Sequence, residues 1–144
     1  MEPKIIRKQE GSALSVLGDK QIVKLSSTDT SGQLTVIMQE LPAGISVPMH
    51  VHANEDENFH IIEGEVEFQI GVQKFLLYPG DMIFLPRNIP HALSVSGEIK
   101  AKVRINIVPA GIEDMFKELS SLPEGLPEMQ HVEEICGRYG VRFL

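Results

Sequence analysis

GISVPMHVHANEDENFHIIEG, running from Gly44 to Gly64, reads as strand, short polar loop, strand. Inside it, HVHANEDE (His50 to Glu57) puts two histidines and three acidic residues into eight positions, amid apolar β-like sequence. The chain has five histidines, and three of them fall between His50 and His60. Either this is a solvated acidic loop with incidental histidines, or it is a site. Side chains alternate along a strand, so His50 and His52 lie on one side, roughly 6.5 Å apart along the backbone. Both imidazoles can then converge on one ion with bonds of about 2 Å. Glu57 begins the next strand, and a carboxylate returning there can close the same site. His91, after the Pro-rich turn LPRNIPH, is placed to add a fourth donor from the facing wall. Imidazole with carboxylate suits Fe, Mn, Ni, Cu or Zn better than Ca or Mg. By spacing alone both readings stay open.

Working outward, short strands alternate with turns. Ala13 to Leu17 and Gln21 to Leu25 flank Gly18-Asp19 as a hairpin, and SSTDTSG (Ser26 to Gly32) reads as a polar loop. Gln33 to Leu41 sets Leu34, Val36 and Met38 against Thr35, Ile37 and Gln39. Asn58 to Glu63 and Glu65 to Ile70 meet at the Gly64 turn, with Val66, Phe68 and Ile70 on one face. Lys74 to Tyr78 and Met82 to Leu85 are apolar on both faces, as in a sandwich core. In Glu98 to Val108, Ile99, Ala101, Val103, Ile105 and Ile107 form a dry face against Lys100, Lys102, Arg104 and Asn106. After Pro109-Ala110-Gly111, Ile112, Met115, Phe116 and Leu119 recur at helical spacing. Met129, Val132, Ile135, Cys136 and Tyr139 do so again, giving a helical segment over about 112–140. The pattern is an all-β sandwich or barrel with two helices packed outside.

At 144 residues the chain has room for one domain, 1–144, and not for two comfortable ones. A formal charge of -7 would repel nucleic acid and anionic membranes, so neither is expected as a partner. The single cysteine, Cys136, cannot form an internal disulfide, and MEPKIIRKQEG lacks the apolar core of a signal peptide. The expectation is a soluble, cytoplasmic protein.

The same stretches resemble the cupin superfamily. Gly44, His50, His52, Glu57 and Gly64 fit every fixed position of its first motif, G-x5-H-x-H-x4-E-x6-G, over residues 44–64. GDMIFLPRNIPHALSV fits the second, G-x5-P-x-G-x2-H-x3-N, over residues 80–95, at Gly80, Pro86 and His91. Asn88 replaces the inner glycine, and Asn is the residue that best tolerates positive φ after glycine. Val95 replaces the final asparagine and removes a hydrogen-bonding side chain near the site's rim. The C-terminal stretch, with IEDMFKEL and RYGVRFL, is similar to the single-domain quercetin dioxygenase-like cupins. The resemblance implies a jelly-roll barrel (double-stranded β-helix) of six to eight strands, often dimeric through sheet extension. It also implies one divalent transition metal per chain, held by His50, His52, Glu57 and His91.

A six-coordinate ion held by four side chains keeps two positions open, enough for O2 and a substrate oxygen side by side. Glu57 could be ligand and, when displaced, general base for a substrate hydroxyl. Parity puts Phe59, Ile61, Val66 and Phe68 on the metal's face, with Lys100, Lys102 and Arg104 opposite, so the expected substrate is a phenolic or other uncharged small molecule. The expected function is therefore a metal-dependent, dioxygenase-like enzyme. The alternative is a non-enzymatic cupin binding metal and a small ligand as sensor or storage module. A metal-dependent isomerase would be expected to show an additional acid or base and polar anchors. His60 has the wrong parity to join Glu57, and His131 reads as surface. Glu55 and Asp56 read as solvated loop acids or backup carboxylates, and Arg87 as a solvated loop arginine beside the barrel mouth. Cys136 and the Met115-Phe116 pair read as core.

Overall fold

The alternation of the last long strand is realised in full: β10 (Ala101–Val108) buries Ala101, Val103, Ile105 and Ile107 and turns Lys102, Arg104 and Asn106 outward. A computed structural model, describing residues Met1–Leu144, places this strand inside a six-stranded antiparallel sheet. Its order is β1 (Ser12–Val16), β2 (Asp19–Leu25), β3 (Thr35–Leu41), β10, β5 (Asp56–Glu63) and β8 (Met82–Leu85). A second sheet follows the order β11 (Val141–Phe143), β4 (Ser46–His52), β9 (His91–Ser94), β6 (Val66–Ile70) and β7 (Gln73–Leu77). Inward residues of both sheets, among them Ile37, Leu41, Phe59, Ile61, Val66, Phe68 and Leu93, make one continuous core. The result is a cupin-like β-sandwich, with more strands than the six to eight expected.

Helices α2 (Glu113–Ser120) and α3 (Met129–Arg138) add Met115, Leu119, Val132, Ile135 and Cys136 to that core. The inward face of α3 takes Cys136 as filler, 2% exposed, and burial pushes its thiol up to about 11, which leaves it unreactive. The start of α2 is tied by Glu113, whose buried carboxylate accepts from Ser27 N–H (2.5 Å), the Thr35 hydroxyl (2.6 Å) and Gly111 N–H (2.8 Å).

Several expectations are corrected. SSTDTSG is not a plain loop, because Ser27–Thr30 turns into a short helix, α1, whose capping residue Ser26 donates its N–H to Asp29 (3.0 Å). β7 and β8 are not buried on both faces, although Leu85 lies in the core and Leu77 and Ile83 pack against it. Each ends its sheet, and Phe75, Leu76, Met82 and Phe84 stand exposed. Apolarity on both faces marks a buried strand only where both faces have neighbours, and an edge lacks them. Ile99 precedes β10 and is 74% exposed, so the dry face begins at Ala101. The face of β3 that goes inward is Thr35, Ile37, Gln39 and Leu41. The last residues, beyond the helical segment expected to end at about 140 and given no element there, form the strand β11 against β4.

Asp19, expected in the hairpin turn, belongs to β2 and points inward with Gln21. Gln39 on β3 donates to its carboxylate. Burial costs the ionised form more than the Gln39 and Gln21 hydrogen bonds return, so the carboxyl is raised from 3.8 to about 6. The folded protein therefore holds this proton more tightly than the unfolded chain. Stability from the neutral carboxyl is complete below pH 3.8 and is lost as pH rises through about 6. Asp19→Asn keeps the shape without the charge. Its stability advantage over the parent should grow between pH 4 and 7 to about 2–3 kcal/mol, read by urea unfolding at both pH values. An advantage that does not change with pH would refute this account.

Candidate metal centre

Strand β4 reaches the site through a bulge. Its register against β9 shifts between Val47 and His50, and Pro48, which has no N–H to give a ladder, lies in that interval. The freed Pro48 carbonyl turns back to His50 Nδ1 at 2.8 Å. Beyond the bulge His50 and His52 both point inward, 8% and 5% exposed.

His91 opens β9 and pairs with His50 across the ladder. It therefore comes from the same sheet as the His50/His52 pair, not from the facing wall. Spacing in sequence could not decide which sheet takes β9. The donor from the facing wall is Glu57 on β5, flanked in register by Ile107 and Leu85. Its Oε2 lies 3.2 Å from His91 Nε2 and 3.4 Å from His52 Nε2. One atom from each of His50, His52, Glu57 and His91 lies within 4.8 Å of all the others. Donors bound to one ion at about 2.1 Å sit about 3 to 4.2 Å apart, so the four close on an ion with small shifts.

The hydrogen bonds fix which nitrogen faces inward. A carbonyl can only accept, so His50 Nδ1 donates to Pro48 O and His91 Nδ1 donates to Ile89 O, the latter at 3.1 Å. Each neutral ring then carries its lone pair on Nε2. His91 Nε2 and Glu57 Oε2 are buried and have no hydrogen-bond partner. Buried polar atoms are rarely left so, and three imidazole lone pairs with one carboxylate suit a divalent transition ion.

Electrostatics agree with that donor set. Burial, with the neighbouring His91, lowers His50 to about 4, so its ring is neutral near pH 7. Burial opposes ionisation of Glu57, but His52 and His91 outweigh it and lower its pKa, leaving a carboxylate. For His52, burial opposes the imidazolium, and Glu55 and Glu57 together reverse that and raise its pKa.

Around the donors the walls are apolar. Phe59, Leu85 and Ile107 flank Glu57, and Phe143 on β11, paired with His50, places its ring 6.0 Å from the His50 ring. No lysine or arginine is buried anywhere in the chain.

The remaining residues sort plainly. His60 points outward from β5, opposite Arg104 and Met82, and His131 is exposed on α3. Asp56 is half-buried and holds Arg87 in a two-pronged ion pair (Nε to Oδ1 3.0 Å, Nη2 to Oδ2 3.0 Å), clamping the start of β5 to the loop that leads to His91. Asn88 in that loop has φ of 65°, as expected for its place in the motif, and donates its N–H to His52 O at 2.7 Å. Val95 is not at the rim but in the core, 1% exposed, with its backbone bonded to Gly44 and Ile45. Glu55 is not a solvated loop acid. It is 7% exposed and its Oε2 lies 3.6 Å from His52 Nδ1. Sequence reasoning read Glu55 as a solvated loop acid or backup carboxylate, and passed over Phe143. The acid spacing after His52 was a signal for the first, and nothing local was one for the second.

Comparison with known proteins bears on the same region. A family model described as a cupin domain matches residues 37–108, half of the chain. Quercetin 2,3-dioxygenase of Bacillus subtilis is 27% identical over 123 residues, covering 85% of this chain and 36% of that enzyme. The chain thus spans little more than a third of its relative's length. KdgF from Halomonas sp. superposes with a TM-score of 0.69 at 18% identity, over 78% of this chain and 99% of that one. The polyketide cyclase RemF from Streptomyces resistomycificus gives 0.66 at 18% identity, over 76% and 81%. At such identities the likeness of the two structures is one of fold. No helix is long and apolar enough to cross a membrane.

Proposed function

We propose that this chain, which belongs to the cupin-domain family, is a metal-dependent, dioxygenase-like enzyme acting on a small phenolic or other uncharged organic substrate. The observation that carries the reading is the inward convergence of His50, His52, Glu57 and His91, with Nε2 lone pairs and a carboxylate facing one point inside apolar walls. The likeness to quercetin 2,3-dioxygenase supports the choice of chemistry. A redox-capable divalent ion held there would supply the electron-transfer chemistry that dioxygen needs to react with a closed-shell molecule.

The chain's own residues account for the rest. Glu57, an ionised carboxylate with no donor on Oε2, can take the proton of a substrate hydroxyl and leave an electron-rich oxyanion. Phe143 offers an aromatic ring beside His50, where a flat ring gains contact and loses water. With no buried cation, an anionic substrate would find no partner for its charge.

The test is oxygen uptake by Fe-, Mn-, Ni- and Cu-loaded protein over a flavonol and catechol panel. At least one metal should support turnover, and Glu57→Gln should reduce it by about 100-fold or more. Tight binding of a small molecule without uptake under any of these metals would give the site to a sensor or storage module instead. The reading includes a homodimer, because β7 and β8 end their sheets with Phe75, Leu76, Met82 and Phe84 exposed. Light scattering should give twice 16.0 kDa, and a constant 16.0 kDa would exclude it.

A further inference from the structure

We propose that Glu55 is a positioning residue for His52, holding its ring with Nδ1–H toward the Glu55 carboxylate and Nε2 toward Glu57. The proposal rests on reading His50, His52, Glu57 and His91 as metal ligands.

Three histidines must present the same nitrogen for the cluster to work. His50 and His91 are oriented by the carbonyls of Pro48 and Ile89, each two residues earlier in the chain. His52 has no such carbonyl. Its Nδ1 is buried without a hydrogen-bond partner, and the acceptor facing it is Glu55 Oε2, 3.6 Å away and equally without a donor. That separation exceeds a hydrogen bond, and a shift of about 0.6 Å by the glutamate side chain closes it. Two unpartnered buried atoms, one able to donate and one able only to accept, then satisfy each other.

A carboxylate is expensive to bury, yet Glu55 is 7% exposed and forms no ion pair with a lysine or arginine. Its neighbours show that this is aimed. Ala53 and Asn54 are exposed, and both are pinned to the chain leading into β11: Ala53 N–H donates to Gly140 O at 2.9 Å and the Asn54 amide to Tyr139 O at 3.1 Å. On the other side Asp56 is held by Arg87. Glu55 sits between two clamps and points in.

An acceptor on the Nδ1 side of His52 leaves its Nε2 free to face Glu57, which is the orientation the cluster needs. A carboxylate behind a ligating imidazole also raises its basicity, and removing such a partner costs about 10- to 100-fold in metal affinity.

The experiment uses the full chain as Glu55→Gln and Glu55→Leu, with Zn(II) and Co(II) as probes. Zn(II) affinity should fall about 10-fold in Glu55→Gln, which keeps an acceptor but loses the charge, and up to about 100-fold in Glu55→Leu. The Co(II) absorption spectrum should shift in both. A purely structural role would lower the thermal stability of the metal-free protein and leave affinity and spectrum unchanged, which overturns the proposal. Should Glu55→Leu fail to fold, Glu55→Gln decides alone, and parental affinity there overturns it. Failure of the parent to bind either ion would instead overturn the metal reading, and this proposal with it.

Discussion

His52→Ala is expected to leave a folded protein that keeps less than a tenth of the parent's bound metal after dialysis. The reason is positional. His52 contributes the nitrogen 3.4 Å from Glu57 Oε2, and it stands beside His50 on the same strand, their ring centroids 5.2 Å apart. Without it three donors remain, and the pair from β4 that defines one side of the site is broken. Metal binding is folding free energy wherever the ion binds only the native state, so two readouts follow. Elemental analysis should show near one ion per parent chain and little in the variant. Metal at 100-fold excess over Kd should stabilise the parent by about 2.7 kcal/mol, and this gain should vanish in the variant. His60→Gln is the matched control. It changes a histidine on the opposite face of β5, and metal content should equal the parent's. Full stoichiometry in His52→Ala, or a comparable loss in His60→Gln, would mean that the donors are misassigned.

That contrast shows what the sequence made legible. Parity along one strand is a local property, so the separation of Glu57 from His60, and of Ile105 from Arg104, could be read from alternation alone. Partnership between strands is not local. His91 was expected from the facing wall and lies beside His50, because nothing in LPRNIPH says which sheet its strand joins. β7 and β8 looked like core strands because composition does not reveal that a strand has only one neighbour. β11 was missed because three residues after a helix carry no periodicity. With it went Phe143 beside His50 and the clamp that turns Glu55 inward. Acidic loop residues usually face water, and only the fold shows one that does not.

Gly64→Ala is expected to cost about 3–5 kcal/mol, while Gly44→Ala costs about 1–2 kcal/mol, although both glycines are fixed points of the same motif. Both have positive φ, 74° and 82°, which an alanine tolerates at about 1–2 kcal/mol. Their surroundings differ. A Cβ on Gly44 meets nothing within 4 Å, so the backbone penalty is the whole effect. A Cβ on Gly64 would sit 2.6 Å from Lys100 O, 2.9 Å from Ala101 Cα and 3.2 Å from Ala101 Cβ. These are backbone and core atoms, and Ala101 is wholly buried at the head of β10, so relief requires moving the strand. β10 is the register partner of β5, and Glu57 is fixed opposite Ile107 by that pairing. Displacement at Gly64 should therefore reach the donor cluster as well as the core. For a chain of this size the Gly64 variant should melt about 10 °C below the parent and the Gly44 variant within a few degrees of it. The Gly64 variant should also bind Zn(II) more weakly, since its strand carries Glu57, while Gly44→Ala should bind as the parent does. Equal melting temperatures for the two variants would show that positive φ alone, rather than the close approach of β10, explains why glycine stands at both positions.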